Sequence, residues 1–193
     1  MSALLERRAV VKRLVADRRD LLVVAGLGST AYDLFAAGDH PANFYLWGAM
    51  GGAAMIGLGL ALAQPQKPVL VVTGDGEQLM GMGGLATVGA QRPANLSIVV
   101  IDNERFGETG LQRSHTAYGT DLVGVAKSCG FAWTREIRAE AQLGEVVDRL
   151  HAKAGPSFAV VKVAPVNPPR ALPARDGVYL KNRFRESLGL GVN

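Results

Sequence analysis

The sequence predicts a doubly wound α/β domain, a mostly parallel sheet with helices on both faces. Apolar runs of strand length, residues 69–73 and 96–101, are continuous rather than alternating, as in strands covered on both sides. Along the chain such runs alternate with segments of helical spacing. Glycine-rich turns, Gly26-Leu27-Gly28 and Gly74-Asp75-Gly76, stand where a run gives way to a helix, the place where open parallel sheets put their ligand crevice.

Residues 3–18 place Leu4, Leu5, Val10, Val11, Leu14 and Val15 near helical spacing with Arg and Lys between them, which predicts an amphipathic opening helix. Residues 21–25 follow as the first core strand. In the turn Gly26-Leu27-Gly28-Ser29-Thr30, Ser29 or Thr30 is placed to cap a helix through residue 35. Such a turn can bind an anion through free backbone N–H groups, although Gly-x-Gly alone is equally an ordinary capped turn. Residues 43–46 read as a short strand leading into Trp47-Gly48-Ala49-Met50-Gly51 and an Ala/Gly helix that ends at 63. That helix is apolar nearly all round, which predicts burial on several sides, a partner subunit included.

Residues 69–73 form a central strand, 77–91 one helix and 96–101 the next buried strand. Residues 104–118 are rich in Gly, Thr and charge with no period, so they are either a surface excursion or a lid. Then come a helix at 121–129 capped by Thr120, a short strand at 131–135 and a helix at 139–152 with Leu143, Val146, Val147 and Leu150 on one face. Gly155-Pro156 turns the chain into a last strand, 157–163. Residues 1–164 thus make one domain. Residues 165–193, Pro-rich and then basic, are expected to wrap over a surface or a partner subunit rather than join the core.

With 193 residues, 48% of them hydrophobic and 24 of them glycine, the chain can bury a sizeable core and is not disordered. Its net charge of +4 is scattered apart from the first twenty residues and the tail, which fits solvated helix faces and anionic small molecules better than nucleic acid. One cysteine, Cys129, excludes an internal disulfide or an iron–sulfur cluster held by this chain alone. The most apolar segment, 50–63, is too short to span a bilayer, and the early charges do not read as a signal peptide. A cytoplasmic location with no membrane partner is the expectation.

Asp75 and Asn103 each stand just past an apolar run, so neighbouring parallel strands would deliver both to one crevice. A carboxylate and an amide oxygen, completed by water and phosphate oxygens, suit Mg²⁺ or Ca²⁺ better than Zn²⁺. This predicts a phosphorylated cofactor held through a hard metal.

The order strand, Gly74-Asp75-Gly76, helix, strand, Asp102-Asn103 and then Phe106-Gly107 resembles the fingerprint of thiamin-diphosphate-dependent enzymes, specifically their diphosphate-binding domain. The resemblance implies that Asp75, the side-chain carbonyl of Asn103 and the backbone carbonyl of Arg105 bind Mg²⁺, with Ca²⁺ or Mn²⁺ as alternatives. The N–H groups of Gly76 and Glu77 would approach the diphosphate of thiamin diphosphate. Gly28, Ser29, Thr30, Gly74, Phe106, Gly107 and Glu108 would complete the cofactor contacts. The segment Trp47-Gly48-Ala49-Met50-Gly51 resembles the loop that lies against the cofactor rings. Gly48 would accept from the 4′-amino group, and Met50 would be the apolar wedge beneath the bent cofactor; from the residues alone, Met50 is equally a core side chain. Where many relatives have Asn-Asn, this chain has Asp102-Asn103, and the ligand position is kept.

The segment Gly107-Glu108-Thr109-Gly110-Leu111-Gln112 is similar to a pattern of the phosphonopyruvate and sulfopyruvate decarboxylases, and the stretch 175–188 to their closing segment. By that resemblance Glu108, Thr109, Gln112 and His115 face substrate, while His115 alone is as readily an exposed loop histidine. The family's activating glutamate lies on a separate pyrimidine-binding domain. No second α/β domain is legible here, so the glutamate is expected from another polypeptide in an α₂β₂ or larger heteromer. The implied activity is decarboxylation of a small anionic 2-oxo acid. Carboligation as in acetolactate-synthase-like enzymes, a split 2-oxo acid oxidoreductase and a non-catalytic binding or assembly subunit are the rivals.

Overall fold

The computed structural model describes residues 4–191. Six parallel strands form one sheet: β1 (Leu22–Ala25), β2 (Asn43–Tyr45), β3 (Val69–Gly74), β4 (Leu96–Asp102), β7 (Trp133–Ile137) and β8 (Ser157–Lys162), in the order β2-β1-β3-β4-β8-β7. The chain winds outward from β1 to β2 and then resumes on the other side of β1 with β3. Its direction therefore reverses between β1 and β3, and the crevice of a doubly wound sheet opens at such a reversal. β3 and β4 pair in register from Val69↔Leu96 to Gly74↔Ile101, which brings the turns that follow them side by side.

Alternation within these buried strands divides the core. Val23, Leu70, Val72, Val99, Ile101 and Val161 face one layer, made by α1 (Arg7–Leu14), α2 (Ser29–Ala36) and α7 (Leu143–Ala152). Val24, Val71, Ile98, Val100, Phe158 and Val160 face the other, made by α3 (Ala53–Ala63), α5 (Gly84–Gln91) and α6 (Leu122–Ser128). The expected fold class is the observed one.

Several local expectations are corrected. The opening helix is shorter than residues 3–18, because Glu6 caps it by accepting from the N–H groups of Arg8 and Ala9. Leu5 before it bridges Val163, which fixes the start of α1 at the carboxyl ends of the strands; residue 3 lies outside the described residues. Residues 77–91 are not one helix. α4 (Asp75–Met80) ends at Gly81 before α5 begins, and a Cβ at Gly81 would stand 2.1 Å from the Gly51 carbonyl oxygen. The break lets the segment after Trp47 pack against the backbone.

The α6 cap is Asp121 rather than Thr120, its carboxylate accepting from Gly124 N–H. The stretch 104–118, aperiodic in sequence, contains a small antiparallel hairpin of β5 (Arg105–Phe106) and β6 (Gln112–Arg113) and a 3₁₀ turn, His115–Tyr118. α3 buries Ala54, Gly57, Leu58 and Ala61, but Met55 and Leu62 are 40% and 51% exposed, so within this chain it is covered on one side.

The C-terminal extension does contribute to the core. After the Pro-rich stretch, α8 (Gly177–Ser187) starts at a cap by Asp176 and buries Leu180 and Phe184, the latter edge-on to Phe44 of β2. Residues 192–193 of that extension lie outside the described residues.

Candidate functional site

A cavity of about 210 Å³ opens at the carboxyl ends of β1, β3 and β4. Ser29, Thr30, Met50, Gly74, Asp75, Gly76, Glu77, Asn103, Arg105, Phe106, Gly107 and Glu108 line it, so most of the residues singled out in the sequence converge there. Gly28 lies next to it, where a Cβ would stand 3.0 Å from Glu108 Cγ, whereas Gly48 stands outside the lining. Met50 is 42% exposed on the cavity wall, not packed into a core.

Asp75 is 2% exposed at the start of α4, and the Ser114 hydroxyl donates to its Oδ2. Burial lifts its carboxyl to about 6, with the nearby Asp102 charge pushing the same way and the Ser114 hydroxyl pulling against both. Asn103 turns its Oδ1 to the Arg105 N–H at 2.9 Å, an Asx turn that leaves the amide oxygen a second lone pair. Arg105 opens the hairpin on the rim.

The Glu77 expectation is enlarged. Its side chain is buried beneath the cavity, where it accepts from the Thr73 hydroxyl at 2.9 Å. Burial pushes this carboxyl up; the Thr73 hydroxyl and the N–H groups of Gly51, Leu27 and Ala53 hold it down. The carboxylate thus lies among β3, the turn after β1 and the segment before α3, hydrogen-bonded to the first of them. A Cβ at Gly26 would lie 1.7 Å from its Oε2, so any side chain there must displace the Glu77 carboxylate.

Ser29 and Thr30 do not cap α2 as expected. Gly28 is its cap at φ 77°, without a side-chain bond, and the Thr30 hydroxyl donates back to the Gly26 carbonyl at 2.9 Å. The first N–H groups of α2 thereby stay uncapped by side chains.

Of the three candidate catalytic side chains only Glu108 lines the cavity, ion-paired with Arg170 of the C-terminal stretch at 3.0 Å. Gln112 is exposed and folds back on Thr109, donating to its carbonyl at 2.9 Å. His115 is exposed outside the lining, edge-on to Phe106 with ring centres 6.1 Å apart. The hairpin turns both away because its short β5–β6 pairing fixes Gln112 and the 3₁₀ turn on the outer side.

Sequence reasoning missed a buried polar chain. The Ser114 and Thr116 hydroxyls are 2.9 Å apart, Thr116 donates to Asp102 Oδ1 at 2.9 Å, and Lys162 Nζ donates to Asp102 Oδ2 and Glu104 Oε1, each at 2.8 Å. Burial works against the Lys162 charge, but Asp102 and Glu104 outweigh it and hold the ammonium above its usual range. The departure Asp102-Asn103 therefore comes with its own counter-ion. A lone lysine ending the apolar strand Ser-Phe-Ala-Val-Val-Lys was the available signal.

Residues 27–161 match the family described as thiamine pyrophosphate enzyme, C-terminal TPP binding domain. The chain belongs to this family. A sulfopyruvate decarboxylase subunit beta from Methanothermobacter thermautotrophicus is 42% identical over 164 residues, 85% of this chain and 85% of that protein. A phosphonopyruvate decarboxylase from Streptomyces viridochromogenes is 39% identical over 188 residues, 93% of this chain but 45% of that one. The crystal structure of benzoylformate decarboxylase from Polynucleobacter necessarius shares the fold with a TM-score of 0.72 at 23% identity, over 86% of this chain and 34% of that chain. The chain therefore spans less than half the length of the latter two.

The cavity suits the cofactor of a thiamine pyrophosphate enzyme. Among the described residues no group of three His, Cys, Asp or Glu could hold a metal. A cation here would need the mixed set of one carboxylate, amide and carbonyl oxygens and diphosphate oxygens, the donor chemistry of Mg²⁺. Asp75 and Asn103 supply the first two from adjacent turns of one cavity. Among the described residues, no helix is long and apolar enough to cross a membrane.

Proposed function

We propose that this chain is the diphosphate- and metal-binding subunit of a split thiamin-diphosphate-dependent decarboxylase acting on a small anionic 2-oxo acid of the sulfopyruvate or phosphonopyruvate kind. The observation that carries this reading is the convergence of Asp75 and Asn103, from the ends of β3 and β4, on one cavity with Met50 and Glu108. The likeness to a decarboxylase subunit beta over 85% of both chains supports the reaction and the division into subunits.

In this proposal Asp75, Asn103 and the Arg105 carbonyl hold Mg²⁺, and Gly76, Glu77, Ser29 and Thr30 present N–H groups to the diphosphate. Thiamin diphosphate, when bound, supplies the electron sink that lets a 2-oxo acid lose CO₂. Met50 forms the apolar wall against its rings, and Glu108, held by Arg170, is the carboxylate of this chain that faces substrate in this reading. The glutamate that activates the cofactor comes from a pyrimidine-binding partner subunit, in an α₂β₂ or larger assembly, and the exposed Met55 and Leu62 of α3 give that partner an apolar face to cover. Residues 4–164 are the cofactor-binding domain, and 165–191 an extension whose α8 adds Leu180 and Phe184 to its core.

The test is to co-purify this chain with its partner, load thiamin diphosphate and Mg²⁺, and screen 2-oxo acids for CO₂ release. Turnover of sulfopyruvate or phosphonopyruvate well ahead of pyruvate is expected. Product formed only when an aldehyde acceptor is added would replace decarboxylation with carboligation.

A further inference from the structure

Arg7, the first residue of α1, is 4% exposed and lines the cavity. Charged side chains are seldom buried this fully unless paired. Arg7 Nε stands 3.0 Å from Asp33 Oδ2, yet neither atom has a hydrogen-bond partner among the described residues. The other carboxylate oxygen, Oδ1, already accepts from Arg8 Nε at 3.0 Å, and Arg8 also donates to the Pro169 carbonyl. Two guanidinium groups thus meet one buried carboxylate, while the neighbouring Glu6 carboxylate is engaged by the N–H groups of Arg8 and Ala9; of the two arginines, Arg7 lines the cavity.

Asp33 sits on α2 just beyond Ser29 and Thr30, which line the same cavity. The ion pair therefore fixes Arg7 beside the turn whose N–H groups lack a side-chain cap. A fixed guanidinium next to such N–H groups is a receptor for an oxyanion.

We propose that Arg7 binds a tetrahedral oxyanion in the cavity, either a phosphoryl group of the cofactor or the sulfonate or phosphonate of the 2-oxo acid. The identity of the anion rests on the decarboxylase reading; the presence of a receptor does not. Asp33 is its positioning residue.

The test uses the assembled complex with Arg7→Gln and Arg7→Lys. Calorimetry measures binding of thiamin diphosphate with Mg²⁺ to the cofactor-free complex, and of sulfoacetate, an unreactive sulfonate, to the loaded complex. Loss of charge-assisted hydrogen bonds should weaken one of the two by about ten- to a hundredfold in Arg7→Gln, with partial recovery in Arg7→Lys. Weakened thiamin diphosphate assigns the anion to the cofactor. Weakened sulfoacetate, with a lower sulfopyruvate-to-pyruvate ratio in kcat/KM, assigns it to the substrate. Should the variants not fold, a crystal structure of the unaltered complex with both molecules decides, and no anionic oxygen at hydrogen-bond distance from the Arg7 guanidinium overturns the proposal. Both affinities unchanged in a folded Arg7→Gln overturns it as well. A complex that turns over no 2-oxo acid, yet loses thiamin diphosphate affinity in Arg7→Gln, would keep the receptor and discard the decarboxylase reading.

Discussion

The hydroxyl of Ser114 donates to Oδ2 of Asp75, tying the segment after the hairpin to the carboxylate that would hold the metal. Among the described residues no side chain donates to Oδ1, which would turn to the cation. Partners of this kind orient a ligand, and their loss lowers metal affinity by about 10- to 100-fold. Ser114→Ala should weaken Mg²⁺ binding to the thiamin-diphosphate-containing complex by that order while circular dichroism stays unchanged. An unaltered Mg²⁺ titration would show that Ser114 does not orient Asp75.

Asp75 itself makes stability depend on pH. Its folded-state carboxyl lies near 6, above the value of 3.8 for a free aspartate. Between these values the folded protein holds a proton that the unfolded chain has released, so stability of the cofactor-free protein falls as pH rises from about 4 through 6. Each pH unit across that window removes about 1.4 kcal/mol, so the whole loss approaches a few kcal/mol. Asp75→Asn removes this cost, so above pH 6 it should melt higher than the unaltered protein without cofactor, and gain nothing from thiamin diphosphate and Mg²⁺. Thermal melts at pH 5 and 7.5, with and without cofactor, check both halves.

Lys162 stands opposite Asp102 in the β4–β8 register and is ion-paired with it. Removing one partner of a buried pair leaves an uncompensated charge and costs about 3–5 kcal/mol. Lys162→Met should destabilise the protein by this order in urea. Asp102→Asn together with Lys162→Met should recover most of the loss, since the amide needs no counter-ion. A double variant as unstable as the single one would mean that Lys162 acts through packing.

Gly26 leaves the room that the Glu77 carboxylate fills. Gly26→Ala must displace either the β1 turn or Glu77, and overfilling of this kind costs about 1–3 kcal/mol. The expected result is a lower melting temperature together with weaker thiamin diphosphate binding, because the same turn leads into Ser29 and Thr30. A variant that melts normally would show that Glu77 can move away at no cost.

The sheet was legible in the sequence because residues 69–73 and 96–101 are buried on both faces and so apolar throughout apart from Thr73 and Ser97. The cavity wall was legible because Asp75 and Asn103 follow those strands directly. The division of residues 77–91 into two helices was not, because the break depends on Gly81 meeting Gly51, thirty positions away. Nor were Arg7 and Lys162. An arginine opening an amphipathic helix looks like a solvated one until Asp33 is packed against it, and Lys162 finds its carboxylate only through strand pairing. Glu108, Gln112 and His115 fall within a short span, and only the hairpin geometry separates the one that reaches the cavity from the two that do not.

As proposed above, this chain forms one wall of an active site and depends on another subunit to complete it. The most direct measurement is CO₂ release from sulfopyruvate, with thiamin diphosphate and Mg²⁺ present, by this chain, by its partner and by their mixture. Turnover confined to the mixture, and lost when Asp75→Ala is introduced into this chain, is the predicted result. Release by this chain alone at the rate of the mixture, or a mixture indifferent to Asp75→Ala, would contradict it.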